Sequence, residues 1–371
     1  MTRVVLAGGG TGGHIFPMTA VARALIDSGV AASSLIYVGS RRGQERSLLG
    51  AGEVELVTLP GRGLRRSFVP GALLQNARAL VGLGVATLRA LWLFAAWRPS
   101  VVVSFGGYAA LPAGLSAVLW RRPLVVVDLD ATPGATQRVL TRFAAVRCVP
   151  AGPTTPRDVE TGVPLRPEIL ALSRDDESRR RARARFAPPI DEDRVVVVVM
   201  TGSLGARSVN DAVSALAATW RDRRDVTIVH VTGRRDAARV RAAAVPLEGL
   251  DYRIIDFAEM APLWAVADIA LCRAGATTVA ELAAVGVAAI LVPLPGAPGD
   301  HQGSNARRLE EVGGALILED ADVNAESVAA ALGALMASRR FEAMGESARR
   351  LARPRAAAAI ADVVREVGGL A

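Results

Sequence analysis

Seven residues near the start of the chain, Gly8-Gly9-Gly10-Thr11-Gly12-Gly13-His14, follow a short apolar run and open a helical pattern. Glycines let the backbone approach a ligand and turn N–H groups toward it, and a helix start adds a half-positive charge. The loop therefore suits an anion, or the charge that develops in a transition state. Gly8, Gly10 and Gly13 also satisfy the G-x-G-x-x-G spacing of a dinucleotide fold, and Gly39-Ser40-Arg41-Arg42 downstream could suit a 2′-phosphate. The motif alone leaves both readings open. His14 and Pro17 count against a nucleotide cofactor, because the dinucleotide fingerprint packs small apolar residues in that first turn.

A second set of glycine loops in the other half of the chain weighs further against it. Gly202-Ser203-Leu204-Gly205 follows the apolar run Val195 to Met200, and Arg273-Ala274-Gly275-Ala276-Thr277-Thr278 leads into a helix over Val279 to Ala284. The amide end of that helix could hold a diphosphate without a metal. Glu281, one turn inside, can accept two hydrogen bonds from a ribose diol. Equally, Thr278-x-x-Glu281 spells a capping box, which needs no ligand. Asp300-His301-Gln302-Gly303-Ser304-Asn305-Ala306 lies between an apolar strand and a helix, where α/β sheets bind ligands; its side-chain amides suit sugar hydroxyls, and a solvated helix cap is the alternative. Ser104-Phe105-Gly106-Gly107-Tyr108 ends a strand beside the first loop, as a ligand edge or as a plain tight turn.

The elements that must position these loops alternate. Val4 to Ala7, Leu35 to Gly39, Val101 to Phe105, Leu124 to Asp128 and Val146 to Pro150 read as buried strands separated by helices such as Pro17 to Ser28. Val195 to Met200, Val226 to Val231, Ile269 to Cys272 and Ala289 to Pro293 repeat the pattern. Strand–helix alternation implies parallel sheets of βαβ units. The five prolines between Pro150 and Pro167 read as a linker, and a last amphipathic helix over about 356–367 could return to the first domain.

Composition narrows the function classes. With 371 residues the chain has room for two cores. A content of 51% apolar and 22% charged residues is globular, and 4% aromatic residues leave little for stacking single-stranded nucleic acid, so no nucleic-acid partner is expected. A net charge of +8 favours a polyanionic partner. Cys148 and Cys272 stand far apart with no CxxC partner, which argues against zinc and disulfides. The charge-free run Pro99 to Trp120 is long enough to span a bilayer, but its glycines and Pro112 read as strand, turn and helix. Between Arg62 and Arg98, Arg62, Arg65, Arg66, Arg78 and Arg89 alternate with Leu73, Leu74, Leu80, Val81, Leu83, Leu88, Leu91, Trp92 and Phe94. An apolar patch rimmed by arginine suits an anionic membrane surface; a core helix with snorkelling arginines is the alternative.

In order and spacing along nearly the whole chain, GGGTGGHIFP (Gly8 to Pro17), FGGYAALP (Phe105 to Pro112), GSLGA (Gly202 to Ala206), RAGATTVAELAA (Arg273 to Ala284) and DHQGSNA (Asp300 to Ala306) resemble the motifs of the MurG family of glycosyltransferases. That resemblance implies the GT-B fold, two Rossmann-like parallel-sheet domains facing across a cleft. The first, 1–160, would bind the acceptor and dock on the membrane; the second, 161–349, would bind UDP-GlcNAc; a final helix at about 350–371 would pack back on the first. It implies inverting transfer of N-acetylglucosamine from UDP-GlcNAc to the C4 hydroxyl of the muramyl sugar of lipid I, at the cytoplasmic face of the cell membrane, with no cofactor and no metal. His14, Thr11 and Tyr108 would face the acceptor and the reacting bond, and Gly12 and Gly13 would contact substrate. Arg166 and Ser203 would contact the diphosphate, with Ala276 and Thr277 at the helix start. Glu281 would bind the ribose, the Phe257, Ala258 and Met260 turn would bracket uracil, and His301, Gln302 and Asn305 would bind the GlcNAc hydroxyls. The family's His-Glu-Gln-Asn on the acceptor side is replaced by Val127-Asp128-Leu129-Asp130. Asp128 and Asp130 also spell D-x-D, which reads better as a strand-end turn than as a metal site. The departure motivates a related transferase with another lipid-phosphate or natural-product acceptor as the alternative.

Overall fold

The computed structural model describes residues 3–49, 52–61, 70–202, 205–337 and 339–370, with backbone alone at 70–77 and 298. Arg62, Arg65, Arg66 and Ser203 lie outside the described residues, and the side chains of Leu73 and Leu74 are not described. The chain divides into two compact units, Met1–Arg166 with Arg353–Ala371, and Pro167–Ala352.

The first unit is built on seven strands: β1 (Val4–Gly8), β2 (Leu35–Ser40), β3 (Glu55–Leu59), β4 (Val101–Gly106), β5 (Leu124–Val127), β6 (Val146–Val149) and β7 (Asp158–Glu160). They pair in the order β3-β2-β1-β4-β5-β6-β7, all parallel. Valine-rich runs form the central strands because both faces are covered, so no polar alternation is needed. One core joins Val5, Ile36, Val102 and Val126 of the sheet to Ala86, Ala90 and Phe94 of the Pro70–Trp97 helix and Ala110, Ala113 and Ala117 of the Ala110–Leu119 helix. The run Pro99 to Trp120 is thus β4, a glycine turn and that second helix. The segment Pro150 to Pro167 is not a simple linker: β7 forms within it and pairs with β6. Arg147 secures that pairing, reaching Asp158 at 3.3 Å and Asp128 at 2.6 Å.

The second unit holds β8 (Val195–Met200), β9 (Val226–Val231), β10 (Asp251–Ile255), β11 (Ile269–Cys272), β12 (Ala288–Leu291) and β13 (Ala315–Ile317), in the parallel order β10-β9-β8-β11-β12-β13. The arginine-rich stretch after Ser173 is the helix Asp176–Ala184, capped where Asp175 accepts from the Ser178 amide at 2.7 Å. Its Arg179 and Arg183 meet the Asp268 carboxylate, which also accepts the Val196 amide at the start of β8. The last helix, Ala356–Gly368, belongs to the first unit and packs on the Gly12–Asp27 helix with Ala356, Ile360, Ala361 and Val364 buried.

Candidate functional site

The first six strands of each unit follow the same order, and in each sheet that order reverses beside the first strand of the unit. A doubly wound sheet opens a crevice at that point, outside the carboxyl ends of the strands. In the first unit the reversal lies between β1 and β4, so the loops after Gly8 and after Gly106 are brought together. In the second it lies between β8 and β11, which brings together the loops after Met200 and after Cys272. The glycine loops singled out from the sequence are the loops at these two points.

In the first crevice the loops pack backbone on backbone. Gly107 has φ +78°, and a Cβ there would stand 2.3 Å from the Gly9 carbonyl oxygen. The Gly12–Asp27 helix begins within the glycine loop, with Thr11 extended at its N-cap. His14, one turn in, lays its ring over Gly106: a Cβ there would meet Cδ2 at 3.2 Å and Nε2 at 3.3 Å. Thr11 Oγ1 approaches His14 Nδ1 at 3.4 Å. Tyr108 donates its hydroxyl to the Pro60 carbonyl at 3.2 Å, and burial pushes its pKa up, so the phenol keeps its proton at neutral pH. Buried Gln137 braces the floor, donating to the Val127 carbonyl at 2.7 Å and accepting from the Ser104 hydroxyl at 2.6 Å. Arg166 belongs to this unit and stacks its guanidinium 4.3 Å from the Phe16 ring centre.

Asp128 is nearly inaccessible and serves the fold. Burial raises its pKa and the Arg147 guanidinium opposes that rise, so the carboxylate ties β5 to β6. Asp130 follows, partly exposed. The dinucleotide reading fails on Glu45. This fully buried carboxylate occupies the space beside the glycine loop, accepting the Gly10 amide at 2.9 Å and the Ser40 amide at 2.7 Å through Oε1. A cofactor phosphate there would find the Gly10 amide already taken and the space beside Gly9 filled.

In the second crevice, Gly275 caps the helix Ala276–Val285, so Ala276, Thr277 and Thr278 form its first turn. No capping box forms at Thr278. The Glu281 carboxylate instead accepts from the indole Nε1 of Trp264 at 2.8 Å, with Glu281 4% and Trp264 0% exposed. Asn305 is buried and donates to the Ala274 carbonyl at 3.1 Å; Gln302 accepts from the Leu294 amide at 3.0 Å. Each amide thereby fixes one loop of the crevice. His301 begins the helix His301–Glu311 and is partly exposed. Phe257 is half exposed with the Arg234 guanidinium 4.7 Å from its ring centre, Ala258 follows it, and Met260 starts the next helix. Gly233 (φ +78°) passes so close to the first loop of this unit that a Cβ would stand 2.3 Å from the Gly205 amide nitrogen.

The anchoring contacts of several residues were not visible as spacing patterns, even where the residue itself lay in a motif. Arg273 binds the Val292 and Pro293 carbonyls, Asp320 at 2.6 Å and Ser208, holding the ends of two strands and a helix start together. Glu45 and Trp264 reach partners 35 and 17 residues away, and no local motif encodes such a contact.

The N-terminal domain of glycosyltransferase family 28 matches residues 4–147, and the C-terminal domain of that family matches 196–362. The chain is 36% identical, over 99% of both chains, to the UDP-N-acetylglucosamine--N-acetylmuramyl-(pentapeptide) pyrophosphoryl-undecaprenol N-acetylglucosamine transferase of Desulforudis audaxviator. It is 38% identical to the transferase of the same name from Nitratidesulfovibrio vulgaris (strain DP4), over 99% of this chain and 98% of that one. Among solved structures, Acinetobacter baumannii MurG superposes with a TM-score of 0.75 at 28% identity, covering 99% of this chain and 100% of that one.

Proposed function

We infer that this chain, which belongs to glycosyltransferase family 28 and to its MurG-type members, transfers N-acetylglucosamine from UDP-GlcNAc to the C4 hydroxyl of the muramyl sugar of lipid I. The observation that carries the reading is the 36–38% identity, over nearly the full length of both chains, to transferases of that name. The fold is GT-B, and each unit presents glycine loops at its own switch point.

The chemistry needs an alcohol, a sugar and a diphosphate held in line. The acceptor oxygen forms a bond to the anomeric carbon as the bond from that carbon to the UDP oxygen breaks, from the opposite face, which inverts the centre. His14 takes the proton of the attacking hydroxyl; imidazole titrates near neutral pH and suits this role, and the nearby Thr11 hydroxyl supports the orientation of its ring. Tyr108, with its phenol spent on Pro60, acts by shaping the loop. Charge on the departing UDP is met by the first-turn amides of Ala276 and Thr277, by Ser203, and by the Arg166 guanidinium. Glu281 accepts the ribose diol with its carboxylate held in place by Trp264. Phe257, Ala258 and Met260 bracket uracil, and His301, Gln302 and Asn305 face the GlcNAc hydroxyls. Gly12 and Gly13 allow close approach of the acceptor.

Membrane docking belongs to the same reading. The stretch Arg78–Trp97 is long and apolar enough to cross a membrane by length and composition. One face of it, Ala79, Ala86, Ala90 and Phe94, is nevertheless packed in the first unit, while Leu80, Val81, Leu88 and Trp92 on the other face are 58–72% exposed. An apolar face backed by a folded unit supports peripheral attachment at the cytoplasmic face of the cell membrane.

Titration with UDP, UDP-GlcNAc and NADPH, followed by a transfer assay on a lipid I analogue, tests the function. UDP-GlcNAc binding with transfer is expected. NADPH binding without UDP binding ends the transferase reading, and donor binding without transfer to lipid I directs attention to another acceptor.

A further inference from the structure

In a doubly wound sheet the first glycine loop normally offers its amides to a ligand. Here the Gly10 amide is taken by the protein itself. Glu45 opens the short helix that follows β2, and its side chain runs back beneath the loop. Three glycines from three neighbouring segments leave room for it. A Cβ at Gly9 would come 1.9 Å from Oε1, one at Gly43 would come 2.0 Å from Oε2, and one at Gly39 would come 2.7 Å from Cγ. Oε1 bridges the Gly10 and Ser40 amides, stapling the carboxyl end of β1 to that of β2. Oε2 is buried with no hydrogen-bond partner among the described residues. A polar side chain buried so completely, with one oxygen unsatisfied, is an expensive way to join two strands. Its specific product is the path of the loop: Gly9 at φ +146° and Gly10 at φ +98°, leading directly to the Thr11 N-cap and to His14.

We propose that Glu45 is a positioning residue for sugar transfer, holding the Gly9–Thr11 backbone so that the His14 imidazole is seated over Gly106. The proposal rests on the reading of His14 as the acceptor-side base. A side chain shortened by one methylene withdraws the acceptor oxygen from both amides and lets the loop, the helix start and His14 move together. A glutamine keeps an acceptor oxygen in place.

The test uses the full chain, with Glu45→Asp and Glu45→Gln made in the unaltered and His14→Ala backgrounds. Turnover on a lipid I analogue, UDP affinity, and amide hydrogen exchange at Gly10 and Ser40 are measured. Glu45→Asp is expected to lower kcat by about 10–100-fold, the scale of a small misplacement of a reacting group, with UDP affinity unchanged and exchange at both amides accelerated. Glu45→Gln is expected to stay within about threefold of the unaltered protein. In the His14→Ala background, Glu45→Asp should add less than about twofold, since two residues acting through one another are not additive. Multiplicative losses in the double variant, or a fall in UDP affinity parallel to kcat, overturn the proposal. So does unchanged exchange at Gly10 in an active protein. An unaltered protein that transfers no sugar, with exchange at Gly10 still accelerated in Glu45→Asp, ends the transferase reading and with it the catalytic purpose assigned to Glu45, while the anchoring of the loop stands.

Discussion

Removing the Glu281 carboxylate strands the indole N–H of Trp264, a fully buried donor. Glu281→Ala should therefore lose about 1–3 kcal/mol of stability, the usual cost of a buried unpaired polar group, and weaken UDP-GlcNAc as well. Glu281→Gln keeps an acceptor for the indole, so its Tm should stay near that of the unaltered protein while donor affinity falls about tenfold, or about 1.4 kcal/mol. Thermal unfolding and calorimetric titration of the pair separate the two roles; a glutamine variant with unchanged affinity removes the ribose contact. His230 offers a second residue-scale experiment. It lies buried between Asn210 at 2.9 Å and Tyr252 at 2.8 Å. The Asn210 amide nitrogen is already given to Thr232 and Asp236, so Nε2 of the neutral ring donates to the Asn210 oxygen and Nδ1 accepts from the tyrosine. Burial lowers the His230 pKa to about 3. Between its unfolded value near 6.5 and that depressed value, the unfolded chain takes up a proton that the folded one refuses. Stability should thus fall as pH drops below 6.5, by at most about 1.4 kcal/mol per unit from this group. Urea unfolding at pH 7, 6 and 5, above the carboxylate range, should show the slope, and His230→Gln should flatten it. These residues also mark what the sequence hid. His14, Thr11 and the glycines around them announce themselves by local spacing, whereas Glu45, Trp264 and His230 act through partners that only the folded chain brings near. Thr278-x-x-Glu281 shows the converse: a local pattern was present, but the helix is capped at Gly275 and tertiary packing claimed the glutamate.

At the scale of elements, the legible strands were those covered on both faces. Val4–Gly8 and Val195–Met200 are nearly continuous valine and other apolar residues, and no competing pattern exists for such runs. β3 and β10 are edge strands of half-buried residues, with Glu55 in one and Asp251 and Arg253 in the other, so they lack the apolar signature. β7 was obscured by the prolines around it, and its pairing depends on Arg147 rather than on apolar side chains. The Pro70–Trp97 helix is the element whose exposed face invites a direct test. Its buried face carries three alanines and Phe94, and Trp120 of the neighbouring segment donates its indole N–H to the Leu91 carbonyl, so the outward side chains can be altered without disturbing the core. Leu88→Gln with Trp92→Gln should reduce co-sedimentation with anionic vesicles at low salt by about tenfold or more, on the basis of roughly 1.5–3 kcal/mol for each large apolar group buried, while turnover on a water-soluble acceptor stays unchanged. Equal vesicle binding by the double variant would show that another surface docks.

The whole molecule consists of one unit inserted into another: the chain leaves the first at Arg166 and re-enters it at Arg353. The returning helix Ala356–Gly368, with Ile360 and Val364 buried, packs on the Gly12–Asp27 helix, the same helix that carries His14. A chain ended after Ala352 should therefore lose stability in the first unit, by about 3–6 kcal/mol if those two side chains and the alanines beside them become exposed. UDP binding by the second unit should be retained. Hydrogen exchange resolved by unit measures both, and undiminished protection of Gly12–Asp27 would show that the last helix is dispensable.

The insertion also determines how the protein would bear mechanical load. Val4 and Gly368 both belong to the first unit, so tension applied between them runs through β1, its neighbours and the Ala356–Gly368 helix, and bypasses the inserted sheet. The inserted unit is shielded in this arrangement: it feels no pull until its host has torn open, and only then does the force reach Pro167 and Ala352.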